Sequence, residues 1–292
     1  MSEERLAALR RAYAEELRAL ANLTYAPVVE AFAAVPREAF LGPGPWKTYG
    51  ANLVAGVTPD ADAAHIYRNV LVALDEAKRL NNGEPRFWAY LFNALRPASG
   101  ERVIHVGAGT GYYTALLAHM VGPSGRVTGI EFERDLAERA QASFQGAANV
   151  EVLAGDGMAL AAGPADVIVA SCGLDAVPLA WVKLLTDGGR LLMPLTATMP
   201  DWSGGGGGCN LMLTRRGDQY AAEWVGAVAI YNCMSGRTDL ASQRIRDALA
   251  FPSRVEDWPA WKPPVIASLQ LFGKPDATAV LAGDGWWLSS RA

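Results

Sequence analysis

Gly107, Gly109 and Gly111 stand at alternate positions where an apolar run ends, in Val103-Ile-His-Val-Gly-Ala-Gly-Thr-Gly-Tyr112. Without Cβ atoms the backbone there can turn tightly and approach a ligand, and the helix expected from Tyr113 to Val121 offers free N–H groups at its start. The loop reads Gly-x-Gly-x-Gly, with Ala108 inside it and Tyr112 where a dinucleotide fingerprint places its last glycine. That favours S-adenosylmethionine over NAD as the bound nucleoside. Twenty positions past Gly111, the run Arg126-Val-Thr-Gly-Ile-Glu131 ends in an acid able to accept both hydroxyls of a ribose, and Phe132 follows it. In Gly155-Asp-Gly157 the carboxylate of Asp156, beside Gly157, could accept an adenine amino group. Ser171 ends a further apolar run at the level of a methionine tail.

Methyl transfer from a sulfonium is an in-line displacement, so the protein must hold the acceptor about 3 Å from the methyl carbon. An alcohol or ammonium acceptor needs a general base, whereas a carboxylate is already ionised at neutral pH. Of three histidines, His105 falls inside the strand before the glycine loop and His119 on the helix after it, leaving His65 as the loop candidate. This scarcity of bases favours carboxyl methylation, although Glu84 or Asp75 could also act as a base. Asn81, Asn82 and Glu84, just upstream of the glycine loop, are expected to border the acceptor, with amide donors orienting it. His65 and Tyr67 are expected on the substrate side, in a loop-like stretch from Lys47 to Asn82. No cysteine or histidine spacing suggests a metal.

These residues need a scaffold that brings strand ends together. Apolar runs alternate with amphipathic helical stretches: strand 103–106, helix 113–121, strand 126–131, helix 135–144, strand 150–153, strand 165–171, helix 178–185 and a strand ending at Pro194. Such alternation implies α/β architecture, a Rossmann-like parallel sheet with helices on both faces and the ligand at its carboxyl edge. Leu6, Leu9, Tyr13, Leu17 and Leu20 recur at helical spacing, so residues 3–21 and 27–40 should form an N-terminal helical cap. Asp201 to Cys209, rich in glycine, reads as a flexible connection, followed by a hairpin over 210–214 and 219–231. A helix capped by Thr238 or Asp239 and a second hairpin turning at Gly283-Asp-Gly285 complete a C-terminal antiparallel extension, with Trp286 in the core and Trp287 interfacial or the reverse. The domains expected are 1–80 (cap and substrate-side loops), 81–232 (cofactor binding with hairpin) and 233–292 (α+β extension).

Ala34-Val-Pro-Arg-Glu-Ala-Phe40, Val106 to Ala115, Gly129-Ile-Glu131, Gly155-Asp-Gly157 and Gly188-Gly-Arg-Leu-Leu-Met-Pro194 together resemble the protein-L-isoaspartate O-methyltransferase family over about residues 26–196. The resemblance implies a class I methyltransferase fold in which Gly107, Gly109, Glu131 and Asp156 hold S-adenosylmethionine. One segment departs: where the family carries a Thr-Ile-Ser-type stretch whose hydroxyl helps to hold the substrate carboxylate, this chain has Leu80-Asn-Asn-Gly-Glu-Pro85. A divergent relative acting on a small-molecule or peptide carboxylate is the expectation. A true isoaspartate enzyme, a non-catalytic cofactor-binding module and, less consistent with Tyr112, a nicotinamide oxidoreductase are the alternatives.

The 292 residues carry a net charge of −4 without a lysine or arginine cluster, which argues against nucleic acid as a partner. Nowhere do eighteen apolar residues follow one another, and the charged start lacks a signal-like run, so a cytoplasmic protein off the membrane is expected. Cys172, Cys209 and Cys233, odd in number and widely spaced, suggest free thiols. The extension could cover the cleft, enlarge the core or mediate a homodimer.

Overall fold

The structure, a computed structural model, describes residues 2–50, 55–159, 162–199, 204–252, 257–258 and 260–292. In chain order come α1 (Glu3–Leu20), α2 (Ala26–Ala34), β1 (Lys47–Tyr49), β2 (Ala55–Val57), β3 (Leu71–Asp75), β4 (Leu80–Asn81), α3 (Pro85–Leu95) and β5 (Arg102–Val106). Next are α4 (Tyr112–Val121), β6 (Arg126–Glu131), α5 (Arg134–Ser143), β7 (Val150–Ala154), β8 (Ala165–Ala170) and α6 (Leu179–Leu184). The chain ends with β9 (Leu185–Thr198), β10 (Gly205–Arg216), β11 (Gln219–Tyr231), α7 (Asp239–Leu249), β12 (Ser268–Leu271), β13 (Ala279–Gly283) and β14 (Trp286–Ser289). Two compact units result, Met1–Glu101 with Ala108–Gly155 and Arg102–Gly107 with Asp156–Ala292.

In the first unit α1 starts at Ser2, whose hydroxyl accepts the Arg5 N–H at 3.3 Å, and it buries Tyr13, Ala14 and Leu17 on one stripe. Tyr13 meets Phe32 of α2 edge-on at 5.9 Å, and Phe32 meets Tyr112 of α4 at 6.2 Å, so the helical cap closes on an aromatic core. Arg37 lies wholly inside it. Its guanidinium donates to the carbonyls of Ile66 (2.6 Å), Arg68 (3.2 Å) and Val70 (2.7 Å), satisfying backbone groups that no strand would pair. Among the described residues of the stretch expected to be irregular, 47–82, four short strands pair as an antiparallel sheet in the order β2-β1-β3-β4. Its strands are too short, two to five residues, to show an alternating pattern. β6 and β7 run parallel in the register Val127↔Val150 to Glu131↔Ala154, with α4 and α5 packed on them.

In the second unit the strand order is β13-β14-β12-β11-β10-β9-β8-β5, parallel among β5, β8 and β9 and antiparallel thereafter. α7 begins at Thr238, whose Oγ1 accepts the Ala241 N–H at 3.1 Å, and it packs on β9 and β10. Three expectations need correction. Gly205–Gly208 are not a loop but the buried start of β10, paired with β9; a Cβ on Gly208 would lie 2.1 Å from the Leu195 carbonyl oxygen, so glycine here serves close strand approach. The remainder of the expected connection, 201–203, lies outside the described residues, as do 255, 256 and 259 of the 255–264 stretch, which is rich in Trp and Pro. Cys172 and Cys233 are not free thiols: a disulfide joins them, because the end of β11 returns beside the end of β8, where Gly173 bridges Asn232. Trp286 and Trp287 are both buried, 3% and 9% exposed, so neither is interfacial.

Candidate cofactor and acceptor site

The glycine loop takes the conformation its composition demands. Gly107, Gly109 and Gly111 have φ of +78°, +57° and +99°, a region that L side chains avoid. A Cβ on Gly111 would also strike the Phe144 ring at 2.7 Å. Gly111 caps α4, and Tyr112 behind it is buried against Phe40 and Arg37, part of the wall that holds the loop. The Ala108 N–H binds the Ile130 carbonyl at 3.0 Å, which ties the loop to the end of β6.

Glu131, at that end, is 7% exposed. Its two oxygens accept the Gly109 N–H at 2.6 Å and the Glu133 N–H at 2.8 Å, so the carboxylate is fixed against the loop. Burial raises its pKa, while those same N–H groups act the other way. Each carboxylate oxygen has a second lone pair, and two vicinal hydroxyls would match them. Phe132 follows with half its surface exposed, a flat apolar face. Loop, carboxylate and ring suit an adenosyl group.

On the acceptor side, Tyr113 donates its hydroxyl to the Gly83 carbonyl at 3.1 Å, which anchors the 80–85 segment to the start of α4. Gly83 has φ +79°, and a Cβ would meet Trp88 Nε1 at 2.5 Å. The three expected acceptor residues differ in what they offer. Asn82 is 7% exposed, and its side-chain oxygen accepts from Arg37 Nη2 and the Val72 N–H, both at 3.1 Å. Asn81, half-buried, uses its oxygen on the Gly83 N–H at 2.9 Å, and half-buried Glu84 accepts from Asn69 Nδ2 at 2.5 Å. His65 pairs with Asp60 at 2.9 Å in a short helical turn. Tyr67 is buried against Tyr13, its hydroxyl taken by Glu38 and the Arg37 N–H; burial raises its pKa, so it is part of the cap's core.

In the second unit, a Cβ on Gly107 would sit 3.2 Å from that of Ser171. The Ser171 hydroxyl lies 2.7 Å from Nε2 of His105. His105 is fully buried, and desolvation lowers its pKa to about 3, which leaves a neutral ring at pH 7. Asp156 accepts the Met158 N–H at 2.9 Å and the Ser235 hydroxyl at 2.8 Å. Gly157 allows its backbone to lie against β5, since a Cβ would come 2.4 Å from Val106 Cγ1, and its carbonyl accepts from Trp181 Nε1 at 3.0 Å. The sequence reading missed Arg37 and Ser235; Ser235 was visible only as part of the turn that precedes the Thr238 cap. Among the described residues no group of three or more metal-ligating side chains occurs, and no helix is long and apolar enough to cross a membrane.

The family model for Protein-L-isoaspartate(D-aspartate) O-methyltransferase (PCMT) matches residues 10–201. A Protein-L-isoaspartate O-methyltransferase of Thermotoga maritima is 30% identical over 174 residues, 58% of this chain and 50% of that protein. Protein-L-isoaspartate O-methyltransferase 2 of an Anaeromyxobacter species is 32% identical over 193 residues, 63% and 69% of the two chains. This chain thus spans half the length of the first of these relatives and 69% of the second. A solved protein-L-isoaspartate O-methyltransferase superposes with a TM-score of 0.59 at 18% identity, covering 96% of this chain and 88% of that one. A Plasmodium falciparum protein described by the same name, solved with S-adenosyl-L-homocysteine, gives 0.59 at 14% identity over 78% and 99%. These likenesses establish the class I methyltransferase fold.

Proposed function

Because this chain belongs to the protein-L-isoaspartate(D-aspartate) O-methyltransferase family, with S-adenosyl-L-methionine as its cofactor, we propose that it methylates a carboxylate oxygen of a peptide or small-molecule acceptor. One observation supports the cofactor side of this reading: the Glu131 carboxylate is fixed at the end of β6 by the N–H groups of Gly109 and Glu133, which suits it to accept two ribose hydroxyls. Asp156 takes the purine amino group, and the glycines keep the loop clear of Cβ atoms. When bound, the cofactor supplies a methyl group on positively charged sulfur. The chain's own task is then to bind, align and exclude water.

The acceptor side supports a carboxylate. His105 is buried and neutral against Ser171, His65 is paired with Asp60, and His119 sits on the exposed face of α4, so no histidine is set to remove a proton at the glycine loop. A carboxylate needs no such step. Since Arg37 and the Val72 N–H engage the Asn82 oxygen inside the protein, Asn81 and Glu84 are assigned to the acceptor and Asn82 to shaping their loop. A peptide acceptor fits the relatives' names best.

The test is transfer of labelled methyl from the cofactor to peptides bearing isoaspartyl, aspartyl or C-terminal carboxylates. Label released as methanol by mild base marks a carboxyl ester and is the expected result. Base-stable label, or tight binding of S-adenosyl-L-homocysteine with no transfer to any of them, would overturn the proposal.

A further inference from the structure

Asp156 follows β7, but the side chain that fixes it lies 79 residues later. One oxygen, Oδ1, receives both the Met158 N–H and the Ser235 hydroxyl, at 2.9 and 2.8 Å. Among the described residues nothing donates to Oδ2. Two donors on one oxygen remove the carboxylate's freedom to rotate and leave the other oxygen for an outside donor.

Ser235 is itself held with unusual thoroughness. Two residues before it, Cys233 is joined to Cys172, and the Cys233 N–H binds the Gly173 carbonyl at 2.9 Å. Two residues after it, Arg237 donates to the Gly173 and Thr196 carbonyls, each at 2.9 Å, and the Thr238 N–H binds buried Asp175 at 2.7 Å. Gly236, with φ +79°, makes the turn between them. Both flanks of Ser235 are therefore tied to the same 172–175 stretch at the end of β8. Met234, 72% exposed, points away and contributes nothing to this attachment.

We propose that Ser235 is a positioning residue for the cofactor's purine: the Cys172–Cys233 clasp presents its hydroxyl to Asp156, which then accepts the amino group and rejects a purine bearing oxygen there. This rests on the proposed role of Asp156. The cost of losing one hydroxyl donor to a charged acceptor corresponds to about a tenfold change in affinity.

Calorimetry with S-adenosyl-L-homocysteine and with S-inosyl-L-homocysteine, its deaminated analogue, on the wild-type chain and on Ser235→Ala, Ser235→Thr and Ser235→Cys decides the matter. Wild type should prefer the adenosyl form; Ser235→Ala should lose about tenfold for that form and much less for the inosyl form, and Ser235→Thr should restore the preference. Equal weakening of both ligands by Ser235→Ala, or an unchanged preference, would make Ser235 merely structural and overturn the inference while cofactor binding stands. If wild type binds both equally, the role of Asp156 fails and the inference with it; if it binds neither, the proposed function fails as well. Should Ser235→Ala not fold, Ser235→Cys, which keeps the shape but weakens the donor, carries the same comparison.

Discussion

Replacing Glu131 by glutamine tests the cofactor grip with little change of shape. Each carboxylate oxygen already accepts one backbone N–H, from Gly109 at 2.6 Å and from Glu133 at 2.8 Å. A side-chain amide has one acceptor, so one of those N–H groups loses its partner and faces an NH₂. That penalty exists without ligand, and relief from burying a charge offsets it, so folding stability should change by no more than about 1 kcal/mol. Binding is different, because both ribose hydroxyls exchange an ionised acceptor for a neutral one and one lone-pair site disappears. Taking about 1 kcal/mol for each hydroxyl gives about 2 kcal/mol, or about a 30-fold rise in the dissociation constant for S-adenosyl-L-homocysteine. The pH dependence adds a second signature. Burial raises the Glu131 pKa, and the hydroxyls bind the ionised form, so wild-type affinity should decline on acidification from a higher pH than an ordinary glutamate would give. Glutamine should make that profile flat. Calorimetry between pH 5 and 8, with urea denaturation as the check on folding, measures both; a dissociation constant within threefold of wild type would refute the argument.

Three further outcomes follow from the packing. His105 titrates near 6.5 when unfolded but at about 3 when buried, so acid protonates the unfolded chain first and stability falls as pH drops below 6.5. Between pH 7 and 5 urea denaturation should show a loss of about 2 kcal/mol that His105→Gln abolishes, and an equal loss in the variant contradicts it. Removing the Cys172–Cys233 bridge by the double serine substitution opens a loop with a separation of 61 residues and should cost up to about 4 kcal/mol in a chain-entropy account; an unaltered urea midpoint at equal slope counts against that. Gly208→Ala drives a Cβ to 2.1 Å from the Leu195 carbonyl and should cost about 3 kcal/mol or prevent folding, whereas Gly56→Ala, with nothing within 4 Å, should leave the melting temperature almost unchanged.

The elements visible in the sequence are those whose cause is local. α1 follows the helical spacing that buries Tyr13 and Leu17, and β6 ends at Glu131 as its apolar run does. The errors share a different cause, in that the residue type answers to a neighbour far away along the chain. Gly205–Gly208 look like a linker because glycine is the linker residue, yet they are glycine because β9 lies so close. Cysteines 61 positions apart carry no spacing signal, and only the return of β11 beside β8 makes them partners.

The same distinction divides the candidate site. On the cofactor side, the loop glycines need positive φ and Glu131 is bound by amides at positions 109 and 133, so chemistry and sequence proximity coincide. On the acceptor side, the meaning of Asn82 depends on Arg37, 45 positions earlier, which draws its oxygen inward, and Tyr67 reads as a loop residue until Tyr13 and Glu38 enclose it. Arg37 sits in the Val35-Pro-Arg-Glu38 segment, and its guanidinium fastens the carbonyls at 66, 68 and 70 as well as Asn82. It therefore sets which side chains of the 80–85 segment remain to meet a substrate. Loss of that one buried cation would take the donor from the Ile66 and Val70 carbonyls and leave the Asn82 oxygen with the Val72 N–H alone, so the acceptor loop should fail in Arg37 variants before the glycine loop does.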